Sequence, residues 1–297
     1  MAIGLITPMD TVRREDLTDY ITNVDFKATP LYSGLGAATA YNTIHEYPVD
    51  TLDAAADNAA VESADPTYVD HTQPVRVTNI VQMFNKPVQV SDTERAVDVA
   101  GMKDPFAYQI KKSSTVFAKD VELALVQGTK ASGSSGVARR LDGCIAKIST
   151  NKSARNSGTS LSETEFNDIL QGIHDNGTDE VADEVYVKAY LKRVISGYTA
   201  GSTKFTDSKD KRLWNTVSIY ESDFGTVRIY LNRYVPTASV LALKPEFWKV
   251  AYLNGRRPKH IALAKTGSST KGMIEGELTL EDLAEKTSAY RSGYFTG

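Results

Sequence analysis

The most restrictive feature of this sequence is a run of alternating side chains over residues 74–90 that passes straight into a helix start. Val75, Val77, Val81 and Met83 fall on one face of an extended chain, and Arg76, Thr78, Ile80, Gln82 and Phe84 on the other. Unbroken, such a strand spans roughly 55 Å at ~3.3 Å per residue, far beyond the ~5–6 residues of an ordinary strand. Upstream, Tyr41, Thr43, His45, Tyr47, Val49 and Thr51 alternate in the same way, and the β-branched and aromatic residues suit a pleated surface. Pro48 and Pro87 cannot donate to a ladder, so they mark edges or local bends. A two-stranded ribbon of this length cannot be covered by a small globule and is expected to project.

The link between the two stretches, residues 53–73, carries Asp53, Asp57, Glu62, Asp65 and Asp70 with no Lys or Arg among them. A structureless link of about 20 residues is unusual inside a compact domain, and it is read here as the tip of the ribbon. Residues 1–40 hold few periodic apolar positions and are broken by Pro8, Pro30, Gly34 and Gly36. They are expected to form an extended arm, with a short helix over 11–24.

Helix punctuation follows the ribbon at once. Ser91-Asp92-Thr93-Glu94 matches a capping box and predicts a helix running to Gly101. Asp104 as N-cap and Pro105 as first residue start a second helix. In it Phe106, Ile110, Ser113, Phe117, Val121, Ala124 and Leu125 recur at three- and four-residue spacing until Gly128, with Lys111, Lys112, Lys119 and Glu122 off the stripe. It is about 35 Å long at 1.5 Å per residue. Residues 128–136 read as a flexible turn. Ser162 to Glu165 is another capping box, with Phe166, Ile169, Leu170 and Ile173 behind it and Gly177 as the stop. Residues 185–195 predict a strand entering a helix. Residues 214–234 predict a hairpin turning at Asp223-Phe224-Gly225, and short strands are expected at 239–243, 260–265 and 273–280. Intermingled strands and helices make the class α+β.

Chemistry is sparse. Asp223-Phe224-Gly225 lacks the companion kinase motifs and reads as a turn. Gly267 to Gly272 lacks the Gly-Lys-Ser/Thr ending of a phosphate loop. His45, His71, His174 and His260 have no metal-ligand spacing, and Cys144, the single cysteine, reads as a small buried hydrophobe. No catalytic residue, cofactor or metal ligand is nominated, and no disulfide framework is possible. A net charge of −3 does not predict a strong nucleic-acid binder. Arg256, Arg257 and Lys259, like Arg139-Arg140, could touch phosphate or an acidic neighbour, or could simply be solvated. No apolar run reaches ~18 residues, and the N-terminus lacks the pattern of a signal peptide, so synthesis in the cytoplasm is expected. The sequons at Asn151 and Asn176 are expected to be accidental.

Residues 75–128, together with "RRLDG" at 139–143, "ETEFNDILQGIHDNG" at 163–177 and "IYESDFGTVRIYLNRYVP" at 219–236, resemble the major capsid proteins of tailed bacteriophages, in the Hong Kong 97-type fold. The resemblance implies an N-terminal arm (1–40), an extended E-loop over a neighbouring subunit (41–90), and a peripheral domain (91–160) with a spine helix at 105–128. It further implies an axial domain (161–240) and a return to the peripheral domain (241–297). Asp53, Asp57, Glu62, Asp65 and Asp70 would then lie in an inter-subunit contact, and Phe106, Ile110, Phe117, Val121 and Leu125 would form the spine-helix core. The implied protein is a non-enzymatic shell subunit, assembling into hexamers and pentamers around phage double-stranded DNA without reading its sequence. A separate scaffolding protein, a portal and a decoration protein are its implied partners. The implied locations are the virion and, during assembly, the host cytoplasm. Lys–Asn cross-linking occurs in some relatives, and Asn85-Lys86 alone does not predict it. An encapsulin-like nanocompartment shell is the alternative; a soluble enzyme is a third reading for which no residues stand out.

Overall fold

The computed structural model describes residues 29–53, 55–63, 65, 68, 71–97, 103–176, 181–198 and 219–295. The expected helix at 11–24, Asp70, the stops at Gly101 and Gly177, and residues 214–218 of the hairpin lie outside them.

Each of the three helix starts carries its cap. Ser91 Oγ accepts from Glu94 N at 3.1 Å and opens α2 (Asp92–Ala96). Asp104 Oδ1 accepts from Phe106 N at 3.0 Å, ahead of the long α3 (Pro105–Gln127). Ser162 Oγ accepts from Glu165 N at 3.2 Å and opens α5 (Glu163–Asp175). The remaining helices are α1 (Pro30–Gly34), α4 (Cys144–Lys147) and α6 (Ala189–Ser196). The α2 helix stops at Ala96, with Val97 already extended.

The strands are β1 (Gly36–Ala40), β2 (Ile44–Val49), β3 (Val75–Ile80), β4 (Gln82–Ser91), β5 (Lys152–Thr159), β6 (Glu184–Val187) and β7 (Ile219–Ser222). They continue with β8 (Gly225–Leu231), β9 (Val240–Leu243), β10 (Trp248–Leu253), β11 (Lys259–Ala262), β12 (Ser269–Asp282) and β13 (Ala289–Tyr294). They form a two-stranded ribbon, β2–β3, and two sheets. In the five-stranded sheet the long β12 pairs with β4 along one edge and with β10 and β11 in succession along the other, and β1 adds outside β10 in parallel. The six-stranded sheet runs β5-β13-β9-β6-β8-β7.

The predicted 17-residue strand divides at Val81, where the β2–β3 register makes its last bond, from Val81 N–H to Thr43 O at 2.9 Å. Only β3 pairs with β2; β4 joins the main sheet. The inward face changes accordingly, so Met83 is exposed while Phe84, Val88 and Val90 are buried. Residues 30–40 are likewise part of the body, with Leu31 and Ala40 fully buried, so the expected arm can extend only up to Thr29. Their few apolar residues hid this, because a parallel edge strand of "GAATA" has no alternation to read. Ser269 to Gly272, from the stretch that lacks a phosphate-loop ending, begin β12.

Two cores result. Phe117, Val121, Leu125 and Val126 of α3 pack between Phe84, Ile274, Leu278 and Leu280 of the first sheet and Leu241 and Leu243 of the second. Phe84 meets Phe117 edge-on, with centroids 6.0 Å apart. Phe106 and Ile110 are only partly buried, a correction to the expected five-residue core. The first turns of α3 meet α2 and the short β11, and Phe106 lies under Arg95 and beside His260. The second core joins α5 and α6 to the six-stranded sheet through Phe166, Ile169, Leu170, Ile173, Leu191 and Ile195. Gly143, in the "RRLDG" stretch, lets α4 start against the end of α3: a Cβ there would stand 2.6 Å from Gly128 N and 2.8 Å from two carbonyl oxygens of α3.

Candidate assembly surface

Among the described residues, the ribbon is fastened to the body at its root. Asn79, fully buried near the end of β3, satisfies its whole amide. Its Nδ2 donates to Leu280 O (2.8 Å) and Asp142 O (3.1 Å), while its Oδ1 accepts from Ile80 N (2.8 Å) and Asp142 N (2.9 Å). Tyr47 OH accepts from Asp282 N at 3.0 Å and from Lys147 Nζ at 3.1 Å; Lys147 also donates to Thr78 O. His45 Nε2 meets Glu281 Oε1 at 2.6 Å. Burial pushes the Tyr47 phenol up and the Lys147 ammonium down from their ordinary values. Asp282 is driven up to about 7, first by burial; Lys147 opposes this and Glu285 reinforces it. Its Oδ1 has no hydrogen-bond partner.

Beyond the root the ribbon is bare. Leu52, Val61, Tyr68 and Val75, at the far end of the ribbon and on its link, are four of the fourteen exposed large apolar side chains among the described residues, with Leu52 at 100% and Tyr68 at 92% exposure. Apolar side chains gathered on one protruding element mark a surface that something else covers. Asp53, Asp57, Glu62 and Asp65 are all exposed, as expected for a tip. Asp53 also closes the ends of the link on each other: it accepts from Thr72 Oγ1 at 2.6 Å and meets His71 Nδ1 at 2.9 Å. These two contacts, Thr72 first, hold its carboxyl below the usual range. Asp57 Oδ1 accepts from Ala59 N at 3.2 Å.

Sequence reading placed Glu122 off the α3 stripe; the structure buries it completely. Its carboxylate accepts from Leu31 N (3.0 Å) and Tyr32 N (2.7 Å), two otherwise orphan donors in the first turn of α1, and from Asn232 Nδ2 (2.6 Å). It thereby ties the start of the described chain and the strand end at Asn232 to the middle of α3. Burial raises its carboxyl above the ordinary value, and the three donors partly offset this. No spacing rule could have singled out Glu122 or Asn79, because, apart from Ile80 beside Asn79, their partners lie 63 to 201 positions away.

The basic cluster is mostly consumed within the chain. Arg256 binds Glu275 and Glu277 of β12, where Arg139 also reaches Glu277 at 3.2 Å. Arg257 lies over the Tyr252 ring at 5.1 Å, and Lys259 is exposed on β11. Lys86 pairs with Asp120 at 2.6 Å. Cys144 is fully buried, and burial pushes its thiol far up. Among the described residues no group of three or more His, Cys, Asp or Glu could hold a metal, and no helix is long and apolar enough to cross a membrane. Asp223 and Phe224 form the turn of the β7–β8 hairpin.

The family model described as SU10 major capsid protein matches residues 5–293. The chain is similar to the major capsid protein of Escherichia phage Phieco32, 23% identical over 322 residues that cover 90% of each chain. In structure it is similar to the capsid of a native GTA particle, with a TM-score of 0.68 at 11% identity over 96% of each chain. It is also similar to the holo-SrpI encapsulin complex from Synechococcus elongatus PCC 7942, with a TM-score of 0.59 at 10% identity over 93% of this chain and 92% of that one.

Proposed function

From the premise that this chain belongs to the SU10 major capsid protein family, and is therefore a tailed-phage capsid subunit of the Hong Kong 97-type fold, we propose how its parts serve a shell. The ribbon β2–β3 with the link 50–74 is the E-loop and lies over a neighbouring copy. The helix α3 is the spine of a peripheral domain built on the five-stranded sheet. The six-stranded sheet with α5 and α6 is the axial domain, which meets its copies around hexamer and pentamer centres. The observation that carries this reading is the exposure of Leu52, Val61, Tyr68 and Val75 at the far end and link of a ribbon whose contacts to the body, among the described residues, gather at its root. Burying each of them against a neighbour contributes up to about 1.5–3 kcal/mol, repeated at every symmetric contact of the shell.

The shell encloses double-stranded DNA without reading its sequence; the net charge of −3 and the intrachain pairing of Arg256 and Arg139 favour weak contact. Assembly takes place in the host cytoplasm with a separate scaffolding protein and a portal, and a decoration protein completes the particle. The role is structural rather than enzymatic. An encapsulin-type container has the same fold and differs in housing a protein cargo; the family match favours the phage head.

Deletion of residues 53–73 tests the reading. The expected product is a folded subunit, by circular dichroism and cooperative melting, that forms few or no shells by electron microscopy. Normal shells from the deletion would remove the basis for the ribbon's role.

A further inference from the structure

Strand β4 has a free edge whose hydrogen-bonding groups can be assigned. Residues 82–91 pair in uniform register with 278–269, and Asp92 N donates to Ser268 O at 3.2 Å in the same register. In an antiparallel ladder the N–H and C=O of one residue point the same way, and the direction alternates along the strand. Even-numbered residues of β4 therefore face β12, while Met83, Asn85, Pro87, Gln89 and Ser91 face outward. Val81 N–H, which goes to Thr43, agrees with that parity. Pro87 has no N–H and interrupts the edge. Met83 and Asn85 thus keep both donor and acceptor, with no backbone partner among the described residues.

These two residues lie where two adjoining clefts of 570 and 590 Å³ meet. One wall is the C-terminal half of α3 with Leu123; the other is the turn at 131–140 with Val137. Met83, Leu123 and Val137, three further members of the exposed apolar set, thus converge on one groove. Arg140, exposed at its end, makes no ion pair among the described residues.

We propose that the acidic link 50–74 of a second copy of this chain occupies this groove, adding an extended segment to Met83 and Asn85 with its carboxylates beside Arg140. Backbone pairing of this kind requires an extended guest, and small side chains let one enter a groove walled on both sides. The link has no helix or strand of its own in its described residues and includes Ala55, Ala56, Ala59 and Ala60. Its charge is complementary, since six carboxylates and no Lys or Arg lie from Asp50 to Val75. The guest comes from another copy because β3 carries the chain's own link roughly 20 Å beyond the root. The inference rests on the capsid reading and names the surface that receives the E-loop.

A cysteine trap tests it in assembled shells. Val137→Cys combined with Asp57→Cys is expected to give a ladder of disulfide-linked chains on a non-reducing gel, with the buried Cys144 silent. Arg140→Glu is expected to raise the concentration needed for assembly about tenfold at an unchanged melting temperature, and Glu62→Lys with Asp65→Lys to restore it. Shells that form normally without a ladder, or capture of the Val137→Cys thiol by a different protein of the particle, overturn the proposed occupant and leave the capsid reading intact. An unaltered chain that makes no shells even when supplied with its scaffolding protein overturns both.

Discussion

Replacing Glu122 by Ala strands three buried donors at once: Leu31 N, Tyr32 N and Asn232 Nδ2. A buried donor without a partner costs about 1–3 kcal/mol. The three together set an upper bound of about 9 kcal/mol, reduced by relaxation and by release of the carboxylate's own desolvation cost. A net loss of roughly 3–5 kcal/mol is expected, with Glu122→Gln intermediate because its amide retains one acceptor oxygen. Urea unfolding of the unassembled subunit measures the loss, and hydrogen exchange at Leu31 and Tyr32 locates it. The pH dependence supplies an independent sign. Burial raises the Glu122 carboxyl, so its contribution is fully present below the unfolded value of about 4.3 and shrinks as pH rises through the folded value. Glu122→Gln should therefore lose less, relative to the parent, at about pH 8 than at about pH 5. An alanine variant within about 0.5 kcal/mol of the parent, with unchanged exchange at residues 31 and 32, would refute the clamp.

Asp282 gives a second pH-linked outcome. With its carboxyl raised to about 7 by burial, stability from this group is present below the ordinary carboxylate value and lost as pH climbs through 7, by at most about 4 kcal/mol. Asp282→Asn should flatten the melting-temperature profile between about pH 5 and pH 8; a profile parallel to the parent's excludes Asp282 as its source. Phe117→Asp places an unpaired charge in the α3 core against Phe84 and should cost more than ~4 kcal/mol, leaving the chain insoluble. A soluble, shell-forming variant would mean that α3 turns a different face to the sheets.

Local rules made much of this chain legible. Capping at Ser91, Asp104 and Ser162 depends on neighbours two or three residues away, so those helix starts followed from sequence. The stripe of Phe117, Val121 and Leu125, the acidic link and the hairpin turn at Asp223 were equally local. Tertiary structure alone decided the break at Val81, because a strand's alternation does not say which partner each half pairs with. It also decided the burial of Glu122 and Asn79, the internal pairing of Arg256, and the free edge at Met83 and Asn85. In each case a polar group's environment is set by backbone brought from a distant part of the chain, and composition and spacing carry no record of that meeting.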